Sequence, residues 1–297
     1  MLINFMSRFA LILVNPHSGR GKSLAIANEL SLHSPSFGFR SEIVLGDSAV
    51  KSLDLLRQKL MNKPDLVLVI GGDGLFNLAL QVIAETGIPL FVVPAGTGND
   101  FARSSGFLAT DPPTIWGVIT TKQPEPIDLA LVNKSRWYGQ IMSTGFDSTV
   151  NRRANKFRLI KGQMKYNLAT ILELPKFKPL RYEIAIDGKS IHTDAMMVTI
   201  GNGPSYGGGM QILPQAKRDD GLLDIMVIRP VSKFELLKVF PKVFEGKHVS
   251  HPAIDFYTGR EIAIISKALA YADGEYFGEG SLKVEVKPAT LITWTSS

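Results

Sequence analysis

The sequence predicts an α/β protein of two domains, a Rossmann-like α/β domain over residues 1–125 and an antiparallel β-sandwich over residues 126–297. The last strand is left free to return to the first domain. Three observations carry this expectation. Residues 1–120 alternate short apolar runs with longer amphipathic ones, the pattern of parallel strands covered by helices. Lys122-Gln123-Pro124-Glu125-Pro126 sets two prolines around a charge, which marks a linker. Beyond it the chain turns to strand-length runs separated by Asp-Gly turns.

Taken in order, Phe9–Val14, Glu42–Leu45, Leu66–Ile70 and Leu90–Val93 read as strands, with helices at Lys22–Ser31, Val50–Met61 and Leu75–Glu85 between them. Ligands of such sheets gather beyond the carboxyl ends of the strands. The loops Asn15–Gly21, Gly71–Gly74 and Pro94–Asn99 are therefore the first places to look for chemistry. In the second half, Arg181–Ile186 and Ile191–Ile200 flank Asp187-Gly188 as a hairpin, and Leu222–Ile228, Glu261–Ser266 and Leu282–Val286 are further strands. Two helices interrupt them. Gly162–Leu174 keeps helical spacing at Met164, Leu168, Ile171 and Leu172, and Ser232 with Glu235 forms a capping box ahead of Phe234, Leu237 and Phe240.

A chain of 297 residues can bury two cores, and 45% hydrophobic with 20% charged residues is a soluble globular composition. No run approaches the roughly eighteen apolar residues of a spanning helix. Met1–Ala10 lacks the basic start and long apolar core of a secretion signal, so a cytoplasmic protein is expected. The absence of cysteine excludes disulfides, thiolate metal sites and thiol nucleophiles, leaving carboxylates, histidine, lysine and hydroxyls for any catalysis. His248 and His251 share the loop-like segment Gly246–Pro252 and read as solvated rather than metal-binding.

The net charge of +6 is modest, but its distribution is not even. Between Arg152 and Arg181 lie Arg153, Lys156, Arg158, Lys161, Lys165, Lys176 and Lys178, with Glu173 the only acid and Phe157, Leu159, Ile160, Tyr166 and Phe177 interleaved. Such a segment suits an anionic surface, phospholipid or nucleic acid, or is simply a solvated basic face.

Gly71-Gly72-Asp73-Gly74-Leu75-Phe76-Asn77 follows a strand and opens a helix. Glycines there allow close backbone approach, the helix start offers N–H groups to an anion, and Asp73 adds a carboxylate within reach of a metal. A tight corner alone would also account for the glycines. Asn15–Ser23 ends in Gly21-Lys22-Ser23 like a Walker A loop, but Pro16 stands where its first glycine belongs and removes a donor. A looser phosphate-facing loop with donors at Ser18, Gly19 and Gly21 remains open. Pro94-Ala95-Gly96-Thr97-Gly98-Asn99-Asp100 reads either as a partner loop or as a turn with a helix cap. Asp187-Gly188, Asp220-Gly221 and Asp273-Gly274 are three Asp-Gly turns that spacing cannot rank.

Together these residues resemble the diacylglycerol kinase catalytic family, in particular its soluble bacterial lipid kinases, which are also similar to sphingosine kinases. The resemblance covers nearly the whole chain in order. It begins with Asn15-Pro16, Ser18-Gly19 and Gly21, continues through Gly71–Gly74 with Asn77 and through Pro94–Arg103, and passes Ile127-Asp128-Leu129. Gly201-Asn202-Gly203, Gly207–Gly209, Pro214 with Ala216, Asp220–Asp224 and Asp273-Gly274-Glu275 complete it.

The resemblance implies a nucleotide-binding α/β domain and a β-sandwich with the active site in the cleft, and transfer of the ATP γ-phosphoryl group to a lipid hydroxyl, diacylglycerol foremost. By match, ATP is expected at Asn15, Ser18, Gly19, Gly21, Gly71, Gly72, Asp73, Gly74, Leu75, Phe76, Asn77, Gly96 and Thr97. Glu275 matches the general base, with Asp73 beside it in catalysis. Asp220 matches a Mg²⁺ ligand, joined by main-chain oxygens of Lys217 and Leu222, while Asp73, Asp100 and Asp128 are expected to orient the metal or its waters. The basic segment Arg152–Arg181 would bring the enzyme to a membrane as a peripheral protein; no nucleic-acid partner is expected, and a homodimer is left open.

The chain departs from the family pattern at Leu75 and Leu78, where Thr and Glu are usual, and Val44-Leu45-Gly46-Asp47 lacks a Thr. Weaker nucleotide binding, another nucleotide preference or binding without catalysis all stay open. An NAD kinase, which shares the Gly-Gly-Asp-Gly loop, and a nucleotide-regulated membrane-binding protein are the alternatives.

Overall fold

The structure, a computed structural model, describes residues 8–157, 160 and 163–296. Arg158, Leu159, Lys161 and Gly162 of the basic segment and the start of Met1–Ala10 lie outside the described residues, as does the side chain of Phe240. The chain divides into two compact units, Met1–Ile127 with Ala289–Ser297, and Asp128–Pro288. No helix among the described residues is long and apolar enough to cross a membrane.

The first unit contains β1 (Arg8–Val14), α1 (Lys22–His33), β2 (Phe39–Val44), α2 (Ala49–Leu60), β3 (Leu66–Gly71), α3 (Asp73–Ile83), β4 (Leu90–Pro94), α4 (Asp100–Ser105) and α5 (Pro112–Thr121). Its strands run parallel in the order β2-β1-β3-β4, with Leu11 opposite Val67 and Leu68 opposite Phe91. Near the chain end, Thr293 pairs in parallel with Leu90. Every residue of β3 is buried, as expected of a central parallel strand covered on both faces. β2 begins three residues before the expected Glu42, because Phe39 packs its ring 4.9 Å from that of Trp116. The third helix begins at Asp73 instead of Leu75 and stops at Ile83, beyond which Glu85 adopts a φ of 64°. Trp116 on α5 is fully buried, and its indole N–H donates to the carbonyl of Leu30 on α1 at 3.0 Å.

The second unit takes in β5 (Glu125–Val132, which enters it at Asp128), β6 (Arg136–Tyr138), β7 (Ile141–Gly145), α6 (Phe146–Ala154), α7 (Gln163–Glu173), β8 (Leu180–Ile186), β9 (Lys189–Ala195) and β10 (Met197–Gly201). β11 (Leu223–Ile228), α8 (Lys233–Val243), β12 (Ile254–Gly259), β13 (Glu261–Ala272) and β14 (Glu275–Thr293) follow. Strands β12-β11-β10-β7-β13-β14 lie side by side and antiparallel. β13 makes the sandwich possible: Ile262–Ile265 pair with β8, the register shifts between Ser266 and Leu269, and Ala270–Ala272 pair with β7. Tyr182, Ile184, Val198, Ile225, Ile264 and Val284 meet in the core that results.

One expectation needs correction here. Ile191–Ile200 is not one strand, because the chain changes partners at Met196: β9 pairs with β8, and β10 pairs with β7 and β11. On α7 and α8 most of the apolar residues that mark the helical spacing face outward. Met164, Ile171, Leu172, Phe234 and Leu237 are exposed, while Tyr166, Ala169, Leu236, Val239 and Val243 pack inward. Ser232 does cap α8, its hydroxyl accepting the N–H of Glu235 at 3.1 Å.

The histidine segment is not simply solvated. His248 is 1% exposed with Nε2 donating to the Ile212 carbonyl at 3.0 Å, and His251 Nε2 lies 3.1 Å from Glu235.

Removing the Trp116 side chain leaves a large cavity and takes from the Leu30 carbonyl one of its two donors, the Ser34 N–H remaining. Trp116→Ala should cost about 3–5 kcal/mol, read as a lower urea midpoint with an unchanged slope. A loss under about 1 kcal/mol would contradict the packing described here.

Candidate functional site

In the first unit, the loops after β1, β3 and β4 converge at the carboxyl end of the sheet. A Cβ built on Gly96 would lie 2.5 Å from the Cα of Gly72, and one built on Gly19 would lie 3.2 Å from the Ala95 carbonyl oxygen. Backbone meets backbone there, so glycine is required at the Gly72–Gly96 contact. Asn99, at φ 52°, closes the loop: its Oδ1 accepts the Gly96 N–H at 2.8 Å, and its Nδ2 donates to the Gly96 carbonyl at 3.0 Å. Asp73 ties the loops together, since its Oδ1 accepts the N–H of Asp100 at 2.7 Å and that of Phe101 at 3.4 Å at the start of α4.

The expected nucleotide residues differ in what they present. Gly74, Gly96 and Thr97 are exposed, and Asn15, Ser18, Gly72 and Asp73 are partly so. Leu75, Phe76 and Asn77 are buried. The N–H groups of Leu75 and Phe76 donate to the Gly72 carbonyl at 3.1 and 3.2 Å, Phe76 stacks on Phe101 at 3.9 Å, and Asn77 receives the Gln81 amide on its carbonyl at 2.8 Å. Leu75 folds back over Gly71, so this side chain seals the turn where the family usually has a hydroxyl. After β1, Gly19 and Gly21 take φ of 58° and 89°, and the chain makes one tight turn into α1. The Ser23 hydroxyl donates to the carbonyls of Asn15 at 2.5 Å and Ser18 at 3.1 Å, so it is turned into the protein and not toward a phosphate.

In the second unit, Asp128 anchors the turn before β11. Its N–H donates to the Arg218 carbonyl at 2.6 Å, its Oδ2 accepts the Gly221 N–H at 2.7 Å, and its carbonyl accepts the Asn202 amide at 2.6 Å. Lys217 and Asp220 are exposed on this turn, Leu222 is partly buried, and Asp220 Oδ1 accepts the Leu222 N–H at 3.0 Å. Burial and then the nearby charge of Asp220 push the Asp224 carboxyl up to about 6. Among the described residues no three His, Asp or Glu side chains cluster to hold a metal. The turn instead offers one carboxylate and main-chain oxygens, hard donors of the kind Mg²⁺ takes, beside a second carboxylate whose repulsion a cation would relieve.

Asp273-Gly274 turns β13 into β14 at φ 48° and 84°. The Asp273 carboxylate accepts the N–H groups of Gly139, Gln140 and Ile141 at 2.8, 3.1 and 3.3 Å. Glu275, next on the chain, is exposed, and its charge acts on Tyr271, whose ring is 5.6 Å from that of Tyr276.

The comparisons with known proteins agree across the chain. Residues 9–132 match the diacylglycerol kinase catalytic domain, and residues 140–294 match the YegS C-terminal NAD kinase beta sandwich-like domain. A diacylglycerol kinase of Mycobacterium tuberculosis is 35% identical over 285 residues, covering 94% of this chain and 92% of that one. The fold is shared with a diacylglycerol kinase from Bacillus anthracis, at TM-score 0.77 and 22% identity over 98% and 97% of the two chains. It is shared more distantly with an NAD kinase from Archaeoglobus fulgidus in complex with ATP, at TM-score 0.52 and 12% identity over 98% and 94%.

Sequence reasoning missed Arg218 and Asp147. Arg218 is nearly buried, donates to Gln140 Oε1 at 3.3 Å and is brought down to about 10 by burial, against the opposing charge of Asp273. Asp147 follows Gly145-Phe146 at a strand-to-helix corner, the same pattern as Gly71–Asp73, and that pattern was the available signal. Desolvation raises its carboxyl to about 6, opposed by hydrogen bonding from Tyr206 and from Asn151, the latter at 3.0 Å. Between the ordinary value of 3.8 and about 6 the folded protein holds a proton that the unfolded chain releases, so this group's contribution to stability falls as pH rises through that window. Asp147→Asn should therefore gain in urea midpoint over the wild type from pH 4 to pH 7; parallel profiles would contradict the assignment.

Proposed function

The chain belongs to the diacylglycerol kinase family, and on that premise we propose that it is an ATP- and Mg²⁺-dependent lipid kinase that phosphorylates the hydroxyl of diacylglycerol. The observation that carries the reading is the glycine-to-glycine approach of the β3 and β4 loops at the carboxyl end of the parallel sheet. Backbone at Gly72, Gly74, Gly96 and Thr97, with the loop from Asn15 through Gly21, is accessible to the phosphates of ATP. Asp73 keeps these loops in register through Asp100 and Phe101.

On the second unit, Asp220 and the main-chain oxygens of Lys217 and Leu222 would hold Mg²⁺, with Asp128 fixing their turn. Bound Mg²⁺ supplies charge neutralisation, which phosphoryl transfer needs more than a covalent nucleophile. Glu275 is the general base: its carboxylate takes the proton of the acceptor hydroxyl as that oxygen bonds to the γ-phosphorus and the bond from this phosphorus to the β,γ-bridging oxygen breaks, releasing ADP. Asp100 and Asp128 are positioning residues. We place the protein in the cytoplasm, meeting its substrate peripherally through the basic segment between Arg152 and Arg181.

The test is transfer of label from γ-labelled ATP, with Mg²⁺, to a panel of diacylglycerol, sphingoid base, phosphatidylglycerol, ceramide and NAD. Label in phosphatidic acid supports the proposal. Label only in phosphorylated NAD would favour the NAD kinase reading, and nucleotide binding with no transfer would favour a protein weakened by Leu75 and Leu78. Glu275→Gln should lower kcat by roughly 10²–10⁴-fold with the fold intact, and a near-normal rate would remove Glu275 from its role.

A further inference from the structure

Helices α7 and α8 each carry two apolar stripes, and only one is used. On α8, Phe234, Leu237, Pro241 and Phe244 recur at three- and four-residue spacing along one exposed side, with Phe234 68% and Leu237 51% exposed. On α7, Met164 is 72% and Ile171 66% exposed, with Leu172 beside them. The opposite stripes already fill the core of the unit, while Phe234, Leu237, Met164 and Ile171 stay exposed. The two helices are neighbours: the Lys233 ammonium at the start of α8 donates to the Pro175 carbonyl just past α7, and Leu236 of α8 packs into the cluster formed by α6 and α7. Exposed large apolar side chains on adjacent helices are uncommon on a monomer and mark an interaction surface.

Charge selects the occupant. Residues 163–181 and 233–247 hold eight lysines and arginines against three glutamates. All three acids are engaged, Glu173 with Arg153, Glu235 with His251 and Glu245 with Lys247. The Lys238 ammonium sits 4.5 Å from the centroid of the Phe234 ring, so cation and exposed apolar group share one spot. Lysines whose stems cover apolar surface while their charges stay in water, around aromatic and aliphatic side chains, match the boundary between anionic headgroups and acyl chains. A protein partner would need a complementary acidic and apolar face; an anionic bilayer supplies both features without one.

We infer that the outward faces of α7 and α8 form a membrane-insertion surface, with Phe234, Leu237, Met164 and Ile171 entering the acyl boundary of an anionic bilayer and the surrounding lysines meeting its headgroups. The inference deepens the lipid kinase reading by assigning penetration to α8, outside the basic segment, and it is tested without turnover. Full-length protein, without ATP, is co-sedimented with vesicles of phosphatidylglycerol and of phosphatidylcholine. Binding is expected to phosphatidylglycerol and to weaken with salt. Phe234→Ser with Leu237→Ser should lower the partition coefficient about tenfold or more, and Lys238→Glu with Lys242→Glu should do likewise. Urea midpoints near the wild-type value identify the variants as folded.

Equal binding to both vesicles, or unchanged partition of the folded serine variant, would overturn the inference. So would a serine variant that converts a wild-type dimer to a monomer in sedimentation while leaving vesicle binding intact, because the face would then belong to a second copy. Vesicle binding with no phosphoryl transfer to any lipid would overturn the kinase reading and leave this surface standing. Transfer to detergent-dispersed diacylglycerol by a protein that does not bind vesicles would do the reverse.

Discussion

The carboxylate of Asp73 accepting the Asp100 N–H at 2.7 Å, beside the Gly72–Gly96 backbone contact, is the constraint on which the first unit's site depends. Two loops that leave neighbouring strands can approach this closely only if neither carries a side chain at the contact and the helix start behind one of them is capped by the other. Glycine meets the first condition and Asp73 the second. Phe76 and Phe101, stacked at 3.9 Å, pack α3 against the start of α4.

The second unit repeats this use of carboxylates. Asp128 accepts the N–H of Gly221, and Asp273 accepts three successive N–H groups from Gly139 through Ile141. Asp187 accepts those of Arg260 and Glu261. Buried or half-buried loop donors must find acceptors, and a carboxylate satisfies several at once. An aspartate at an Asp-Gly turn is therefore a structural clamp first. What distinguishes the 220–221 turn is that Asp128 does the clamping from elsewhere, which leaves Asp220 on the surface.

The strand and helix alternation of the first unit was legible because β1, β3 and β4 are apolar runs bounded by turn residues, and the sandwich because Asp187-Gly188 and the alternating runs around it announce hairpins. The break at Met196 was not, since partner exchange leaves no mark where the residues on both sides, Ala195 to Val198, are apolar. The three Asp-Gly turns look alike in sequence, but Asp187 and Asp273 take φ of 47° and 48° in hairpins while Asp220 does not, and different N–H groups reach each. Leu75 reads as a lost ligand group; in the structure it is a lid on Gly71. On α7 and α8, helical periodicity marked a stripe and gave it no direction, because both sides of each helix carry apolar residues and periodicity alone cannot say which faces the core.

Adenine-nucleotide affinity of Gly96→Ala, measured by calorimetry against Gly117→Ala, tests the loop contact most directly. A Cβ on Gly96 meets the Gly72 backbone at 2.5 Å, whereas one on Gly117 has nothing within 4 Å. The contact as described predicts that Gly96→Ala weakens ATP binding about tenfold or more and that Gly117→Ala leaves it unchanged. Equal affinity in the two folded variants would contradict it.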